Sequence, residues 1–213
     1  MSGNMKTVSI IDYGMSNLLS ICRAFEHVGA NVKVLSKPEE IMESDYLVLP
    51  GVGAFPDGMN ELNRRELTSA IRQFSETGKP LLGICLGMQM LLSRGTEHRE
   101  TEGLNIISGS VLPLPKDVPA FKVPNINWHS LYPPKTNDWS FSVLRDTLPG
   151  TCFYFVHSYY AKPDNEQHVL AESKFGNLTY AAAIRKDNVT GTQFHPEKSG
   201  EAGLLLLKNF LNL

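Results

Sequence analysis

Apolar and polar positions switch between two periods along the chain, and the order of the switches predicts the architecture. Thr7-Val8-Ser9-Ile10-Ile11-Asp12 reads as a first strand. Leu18 to Val28 reads as a helix with Leu19, Cys22, Ala24 and Phe25 on its buried side. Asn31 to Leu35 and Tyr46 to Leu49 are further strands, separated by a short acidic segment in which Pro38 opens a helical turn. A β-α-β-α-β opening predicts a parallel sheet covered by helices on both faces. An amphipathic helix through Met59 and Leu62 follows, then a helix from Arg64 to Thr77 closed by Gly78. The next strand, Leu81 to Ile84, passes at Cys85 into an apolar helix from Met88 to Leu92.

Arg94 to Thr101 is charged and reads as solvated, His98 included. Short β-like segments follow: Ile106-Ile107, Gly109-Ser110-Val111, Phe121-Lys122-Val123 and Trp128 to Tyr132. Prolines at 113, 115, 119, 124, 133 and 134 interrupt them, as suits hairpins and edge strands. Phe153 to Tyr159, Val169 to Ser173, Tyr180 to Ile184 and Val189 to Phe194 are later strands. Glu201 to Leu211 is a closing helix with Leu204, Leu205, Leu207 and Phe210 as its buried stripe. With no repeat, low-complexity tract or linker, residues 1–213 read as one domain. Met1 to Asn4 are set aside as an irregular tail. The expected fold is α/β: an open, mostly parallel sheet flanked by helices on both faces, with antiparallel strands added in the second half.

Composition narrows the function classes. A length of 213 residues, 42% hydrophobic and 20% charged, suits a soluble protein with a full core. A formal net charge of −2 gives no electrostatic reason to expect nucleic acid. No apolar run reaches membrane-spanning length and the N-terminus lacks the apolar stretch of a signal peptide, so the expectation is a cytoplasmic protein without a membrane partner. Cys22, Cys85 and Cys152 have neither metal-type nor disulfide spacing, so reduced thiols, no metal and no cofactor are expected. Cys22 and Cys152 read as packing residues.

Cys85 is different because Gly83 and Gly87 flank it at −2 and +2. A sharp strand-to-helix turn forces its middle residue into an uncommon backbone conformation, and neighbours without a Cβ allow the crowding. This is the cysteine version of the nucleophile elbow. A thiol there sits at a helix N-terminus, which favours the thiolate, and the Leu86 N–H would face an oxyanion. Taken alone, a Cys among Leu, Ile and Met is as often a small buried hydrophobe. Pro50-Gly51-Val52-Gly53-Ala54-Phe55 leaves the sheet at the same carboxyl edge, where ligands of open α/β sheets bind. It lacks a phosphate-cradling pattern, but its flexible backbone could supply the second oxyanion donor.

The second signal is Gln193-Phe194-His195-Pro196-Glu197 at the end of the last strand. Residues two apart in extended backbone share a face, so His195 and Glu197 lie together, with Pro196 restricting the geometry. A carboxylate beside an imidazole fixes its tautomer and stabilises its protonated form. A Gly-x-Cys-x-Gly elbow with a downstream His-Pro-Glu therefore predicts a Cys-His-Glu triad of Cys85, His195 and Glu197.

Those two signatures resemble class I, triad-type glutamine amidotransferases, and most closely the glutaminase subunits of imidazole glycerol phosphate synthase. Asp12-Tyr13-Gly14-Met15-Ser16-Asn17, Pro50-Gly51-Val52-Gly53, Tyr154-Phe155-Val156-His157-Ser158-Tyr159 and Phe194-His195-Pro196-Glu197-Lys198-Ser199 carry the closer resemblance, which spans nearly the whole chain. The resemblance implies that Cys85 attacks the side-chain amide of L-glutamine, that His195 protonates the departing ammonia and activates water, and that Glu197 orients His195. It implies Gly53, Gln89, Glu97, Ser158 and Tyr159 as glutamine contacts, with Leu86, Val52 and Gly53 around the oxyanion. The loop bearing Val52 must rearrange in this family to complete the oxyanion hole. The implied partner is a (β/α)8-barrel synthase subunit in a heterodimer, met by Asn17, Trp128, Tyr154 and Lys198.

Two departures stand out. Arg94-Gly95-Thr96 before Glu97 lacks the usual acidic run, and Pro124-Asn125-Ile126-Asn127-Trp128-His129 stands where the family commonly has Pro-His-Met-Gly-Trp-Asn. The second keeps open a paralogous subunit feeding another synthase, such as one aminating surface-polysaccharide sugars. A free-standing γ-glutamyl hydrolase or cysteine peptidase of similar fold would accept larger γ-substituents, whereas Gln89 and the Gly51 to Gly53 loop favour free glutamine. A non-enzymatic scaffold would suit a chain that had lost Cys85 or His195, and both are present. Sister glutaminases for anthranilate or aminodeoxychorismate share the triad but not the Tyr154 to Tyr159 run.

Overall fold

The computed structural model describes residues 5–116 and 122–213. The Met1 to Asn4 tail and Phe121, the start of one expected strand, lie outside the described residues; Lys122 and Val123 are not in a strand. The first half alternates as its periodicity predicts: β1 (Thr7–Ile11), α1 (Leu18–His27), β2 (Asn31–Leu35), α2 (Pro38–Met42) and β3 (Tyr46–Leu49). Then come α3 (Phe55–Arg64), α4 (Leu67–Glu76), β4 (Leu81–Ile84) and the single-turn α5 (Leu86–Met90). The second half is mainly β: β5 (Leu92–Gly95), β6 (Thr101–Glu102), β7 (Ile107–Pro113), β8 (Asn125–Ser130), β9 (Cys152–His157), β10 (Tyr159–Pro163), β11 (Val169–Phe175), β12 (Leu178–Lys186) and β13 (Val189–Thr192). A 3-10 turn, Pro196–Lys198, leads into α6 (Gly200–Phe210).

The main sheet runs β2-β1-β3-β4-β13-β12-β10-β7-β5-β6, with β11 beside β12. β2, β1, β3, β4 and β13 are mutually parallel, and β12, β11 and β10 add antiparallel pairing. Alternation along each strand feeds two cores. Val8 and Ile10 pack with Ile21, Phe25 and Phe210 on the face covered by α1 and α6. Ile11, Leu47 and Leu81 pack with Phe55, Leu62, Ile71 and Phe74 on the face of α2, α3 and α4. β8 and β9 form a separate antiparallel ribbon with Trp128 opposite Tyr154.

Several expectations shift by a residue or more, each for a local reason. In α1 the buried residues are Ile21, Ala24 and Phe25, while Leu19 is 60% exposed. The helix expected from Arg64 starts only at Leu67, because Glu66 adopts a left-handed conformation (φ 60°) that separates α3 from α4. In α6 the stripe is Gly203, Leu206, Leu207 and Phe210 rather than Leu204 and Leu205. Gly203 sets that rotation: a Cβ there would lie 1.9 Å from the Pro196 carbonyl oxygen, so only a glycine lets the helix sit against the turn. Leu92 leaves the apolar helix for β5, which pairs with β7, so Arg94 and Gly95 of the charged stretch are strand residues. Gly95 lies under the Phe55 ring, where a Cβ would come within 2.6 Å.

Candidate active site

The elbow is built by two neighbouring parallel strands. Ile84 of β4 stands beside Thr192 of β13, so Cys85 and Gln193 leave the sheet side by side. The Cys85 N–H donates to the Thr192 carbonyl at 2.7 Å, and Cys85 sits at φ 55°, ψ −109°, a conformation that a non-glycine residue holds only when its surroundings impose it. The flanking glycines make that possible by close approach. A Cβ on Gly83 would lie 2.8 Å from the Met88 nitrogen, and one on Gly87 would lie 1.8 Å from the Leu49 carbonyl oxygen.

His195 follows β13 and its Nδ1 pairs with Glu197 Oε1 at 2.7 Å, with side-chain exposures of 3% and 1%. The turn is pinned by β9: the His195 N–H donates to the Tyr154 carbonyl at 2.9 Å, and the Tyr154 N–H to Ser199 Oγ at 3.0 Å. Ser199 Oγ in turn donates to the His195 carbonyl at 2.6 Å. Burial opposes protonation of His195, but hydrogen bonding and charge from Cys85 and then Glu197 push its pKa up to about 10. The imidazole is therefore cationic at neutral pH. Cys85 acts on it electrostatically, although the buried Nε2 of His195 forms no hydrogen bond of normal geometry.

A cavity of about 280 Å³ opens over the thiol. Its lining brings together Val52, Gly53, Cys85, Leu86, Gln89, Glu97, Ser158, Tyr159 and His195, all residues singled out in the sequence, with Pro124, Val156 and His157 added. Glu97 Oε2 accepts the Phe55 N–H at 2.7 Å, holding the carboxylate at the start of α3. Two of the three residues expected around the oxyanion have their N–H occupied: Leu86 by the Gly51 carbonyl at 3.3 Å, and Val52 by the Met15 carbonyl at 2.9 Å. A second hollow of about 510 Å³ shares Glu97, Ser158 and Tyr159 and extends to His98 and Lys116. A larger one, about 830 Å³, lies at the amino-terminal ends of β4 and β13, far from the chemistry; its Arg72 and Lys186 are bound to the backbone carbonyls of Gly103, Leu104 and Ile106. Among the described residues no group of three or more His, Cys, Asp or Glu side chains is arranged to hold a metal ion.

The four residues singled out for a partner lie outside the cavity. Trp128, half-exposed, stacks edge-on against Tyr154 with ring centroids 5.9 Å apart. Lys198 is exposed on the turn that follows His195, and Asn17 is exposed at the start of α1, which packs against that turn. Sequence reading missed Gln193, whose Nε2 lies 3.7 Å from Cys85 Sγ, and His157, whose imidazole is buried beside Asn125 and Tyr180. A usable signal existed for Gln193, which stands two residues before His195 in the stretch read as the last strand, although the chain already bends at Gln193 and Phe194 after β13. For His157 there was none, because its partners come from β8 and β12.

The sequence profile of the glutamine amidotransferase class-I family matches residues 9–213. A protein of Legionella pneumophila (strain Paris) named "Imidazole glycerol phosphate synthase subunit HisH 1" is 46% identical over 213 residues, covering 98% of this chain and 100% of that protein. "Imidazole glycerol phosphate synthase subunit HisH" of Methanosarcina acetivorans is also 46% identical, over 98% of this chain and 100% of its own length. The subunit of the same name from Moorella thermoacetica is 44% identical over 97% and 94%. Among solved structures, "Structure of PurLQS from Thermotoga maritima" superposes with a TM-score of 0.77 at 18% identity, over 98% of this chain and 99% of that one, a likeness of fold alone. The elbow, the buried His-Glu pair and these full-length similarities have one reading: the chain belongs to the class I glutamine amidotransferase family, among the HisH subunits of imidazole glycerol phosphate synthase.

Proposed function

We propose that this chain hydrolyses L-glutamine to glutamate and passes the ammonia to a (β/α)8-barrel synthase subunit that makes imidazole glycerol phosphate in histidine biosynthesis. The observation that carries the reading is the cationic, nearly inaccessible His195 held between Cys85 and Glu197 beneath a cavity of about 280 Å³ that opens over the thiol. The Cys85 sulfur attacks the δ-carbon of glutamine, and the C=O electrons move onto the oxygen. As the intermediate collapses, the C–N bond breaks and the His195 proton goes to the departing nitrogen, leaving a glutamyl thioester and neutral imidazole. His195 then takes one proton from water as the hydroxide attacks the thioester, the C–S bond breaks to return the Cys85 sulfur beside the protonated His195, and glutamate leaves with its new carboxyl group losing the second water proton to solvent. Glu197 keeps Nδ1 protonated and the ring in place throughout.

Gly53, Gln89, Glu97, Ser158 and Tyr159 hold the amino acid in this reading, and Leu86 and Val52 donate to the oxyanion after the Gly51-Val52 segment rearranges. Asn17, Trp128, Tyr154 and Lys198 meet the synthase subunit, as a heterodimer in the cytoplasm. No described helix is long and apolar enough to cross a membrane. A second reading, the same chemistry feeding a different synthase, is favoured by one observation: the segment that departs from the family pattern is the outer strand β8, with Ile126 58% exposed and Trp128 50% exposed.

The test is glutamate release by the purified chain, alone and with an imidazole glycerol phosphate synthase barrel plus its nucleotide ligand. Low activity that rises by orders of magnitude in the liganded complex supports the reading. No response to that partner favours another synthase, and brisk turnover alone favours a free hydrolase. Cys85→Ala abolishes glutamine hydrolysis while the complex still works with ammonium salts.

A further inference from the structure

A hydrogen-bonded chain leads from the outer ribbon to the Cys85 sulfur, and only one polarity satisfies every link. At its inner end Gln193 Nε2, which can only donate, lies 3.7 Å from Cys85 Sγ. Gln193 Oε1 then accepts, and it receives Gln89 Nε2 at 2.9 Å. That nitrogen gives its other proton to the Tyr159 carbonyl at 3.1 Å. The same carbonyl is bonded to His157 Nδ1 at 2.8 Å, so Nδ1 carries a proton. Burial lowers the His157 pKa to about 4, and a neutral ring leaves Nε2 as an acceptor. Asn125 Nδ2 supplies the donor at 3.0 Å, and Asn125 Oδ1 accepts from His129 Nε2 at 2.8 Å. The titratable groups facing His157 are Tyr180, at 3.4 Å from Nε2, His129 and His195.

The geometry points to His157 as a positioning residue for Cys85: fixed by Asn125 as the neutral Nδ1–H tautomer, it holds the Tyr159 carbonyl so that the Gln89–Gln193 amide pair aims an N–H at the sulfur. The inference deepens the glutaminase reading and rests on it for its meaning in catalysis. His157 itself exchanges no proton with substrate. Its effect is positional: the Tyr159 carbonyl can only accept, so it fixes Gln89 Nε2 as the donor and the Gln193 amide with its N–H toward the sulfur, and the His157 Nδ1–H holds that carbonyl in place.

The experiment combines nitrogen-15 histidine NMR with alkylation of the full-length protein by iodoacetamide. Modification is followed on the Cys85 peptide, since the exposed Cys152 also reacts. The wild-type His157 ring shows the Nδ1–H pattern. His157→Leu slows Cys85 alkylation about five- to tenfold, the scale of one hydrogen bond to a charged atom tempered by altered nucleophilicity. His157→Asn, whose amide nitrogen takes the place of Nδ1, restores most of the rate. Asn125→Asp puts an acceptor at Nε2 while the Tyr159 carbonyl still accepts from Nδ1, so the ring becomes doubly protonated, the neutral Nδ1–H pattern disappears from the spectrum, and alkylation stays near the wild-type rate because the Nδ1–H link is kept. An Nε2–H ring in the wild type, an Asn125→Asp ring that keeps the neutral Nδ1–H pattern, alkylation slowed in Asn125→Asp as much as in His157→Leu, or a His157→Leu defect that His157→Asn does not repair overturns the inference. If His157→Leu does not fold, the wild-type spectrum and Asn125→Asp decide. Alkylation needs no glutamine, so a wild type that releases no glutamate defeats the glutaminase reading separately.

Discussion

Replacing Glu197 with Gln keeps the shape of the buried pair and removes its charge. In the wild type His195 is raised from 6.5 to about 10 by Cys85 and then Glu197, against the opposing effect of burial. That rise corresponds to roughly 5 kcal/mol of preference for the imidazolium, and sharing it with Cys85 leaves about 2 kcal/mol for the carboxylate. The sign follows from linkage. The folded value lies above the unfolded one, so the stabilisation is complete below the unfolded pKa and is lost as pH rises through about 10. Glu197→Gln therefore costs about 2 kcal/mol near neutral pH, and the gap to wild type closes in the alkaline range, where His195 is neutral in both proteins. Urea unfolding at a series of pH values reads the difference directly. A destabilisation equal at neutral and strongly alkaline pH would show that Glu197 acts by packing, and no destabilisation would show that Cys85 alone raises His195. In glutamine hydrolysis the same variant is milder than His195→Ala, since it loses the charge that stabilises the imidazolium but keeps the base.

Three further outcomes come from other parts of the site. Gly87→Ala places a Cβ 1.8 Å from the Leu49 carbonyl oxygen, so it costs more than about 3 kcal/mol or prevents folding, as read by thermal unfolding and soluble yield. Tyr13→Phe removes a buried hydroxyl that has no partner and whose pKa is raised by burial and then by Cys85; stability stays level or rises by about 1 kcal/mol, and a clear loss in urea unfolding would contradict that. Trp128→Ala weakens binding of the synthase subunit by at least about tenfold in calorimetry, the scale of an aromatic anchor, without moving the isolated chain's melting temperature by more than a few degrees.

The elbow was legible because its demands are local. Two glycines around a Cys state a close approach of backbone to backbone, and Gly83 and Gly87 meet Met88 and Leu49 as that spacing requires. His195 and Glu197 were legible as a close pair, although the backbone expected to be extended is a 3-10 turn over Pro196–Lys198 that still brings Glu197 Oε1 to 2.7 Å from Nδ1. What periodicity could not give was the rotation of helices whose apolar residues outnumber the buried face. α6 offers four consecutive leucines, and the choice of Leu206 and Leu207 is made by Gly203 lying against the Pro196 carbonyl, a contact from outside the helix. The strand in Arg94-Gly95 was hidden because its side chains look solvated, while its backbone is claimed by β7. The polar chain behind Cys85 was hidden more deeply still. Asn125 and His129, two of the four positions at which the segment departs from the pattern it resembles, turn out to bond to each other.

The state of the oxyanion loop bears on where control is exercised. On the proposed assignment the nucleophile side is ready: His195 already carries the proton that ammonia will take, and Glu197 and Cys85 hold it. The electrophile side is closed, because the Leu86 and Val52 N–H groups donate to the Gly51 and Met15 carbonyls. Losing one oxyanion donor typically lowers turnover by about 10² to 10³, so a resting chain lacking both is slow without any defect in its triad. Releasing the two backbone bonds costs only about 1 to 3 kcal/mol, within what a partner can supply through differential contacts. Val52 is 40% exposed and Met15 precedes Asn17 by two residues on the segment assigned to the partner, so a docked subunit can reach the bond it must break. The arrangement predicts that partner binding raises kcat far more than it lowers KM for glutamine, since the donors it frees act on the charge that develops in the transition state and not on the resting amide. A stimulated complex whose gain lies entirely in KM would place control at the glutamine pocket instead.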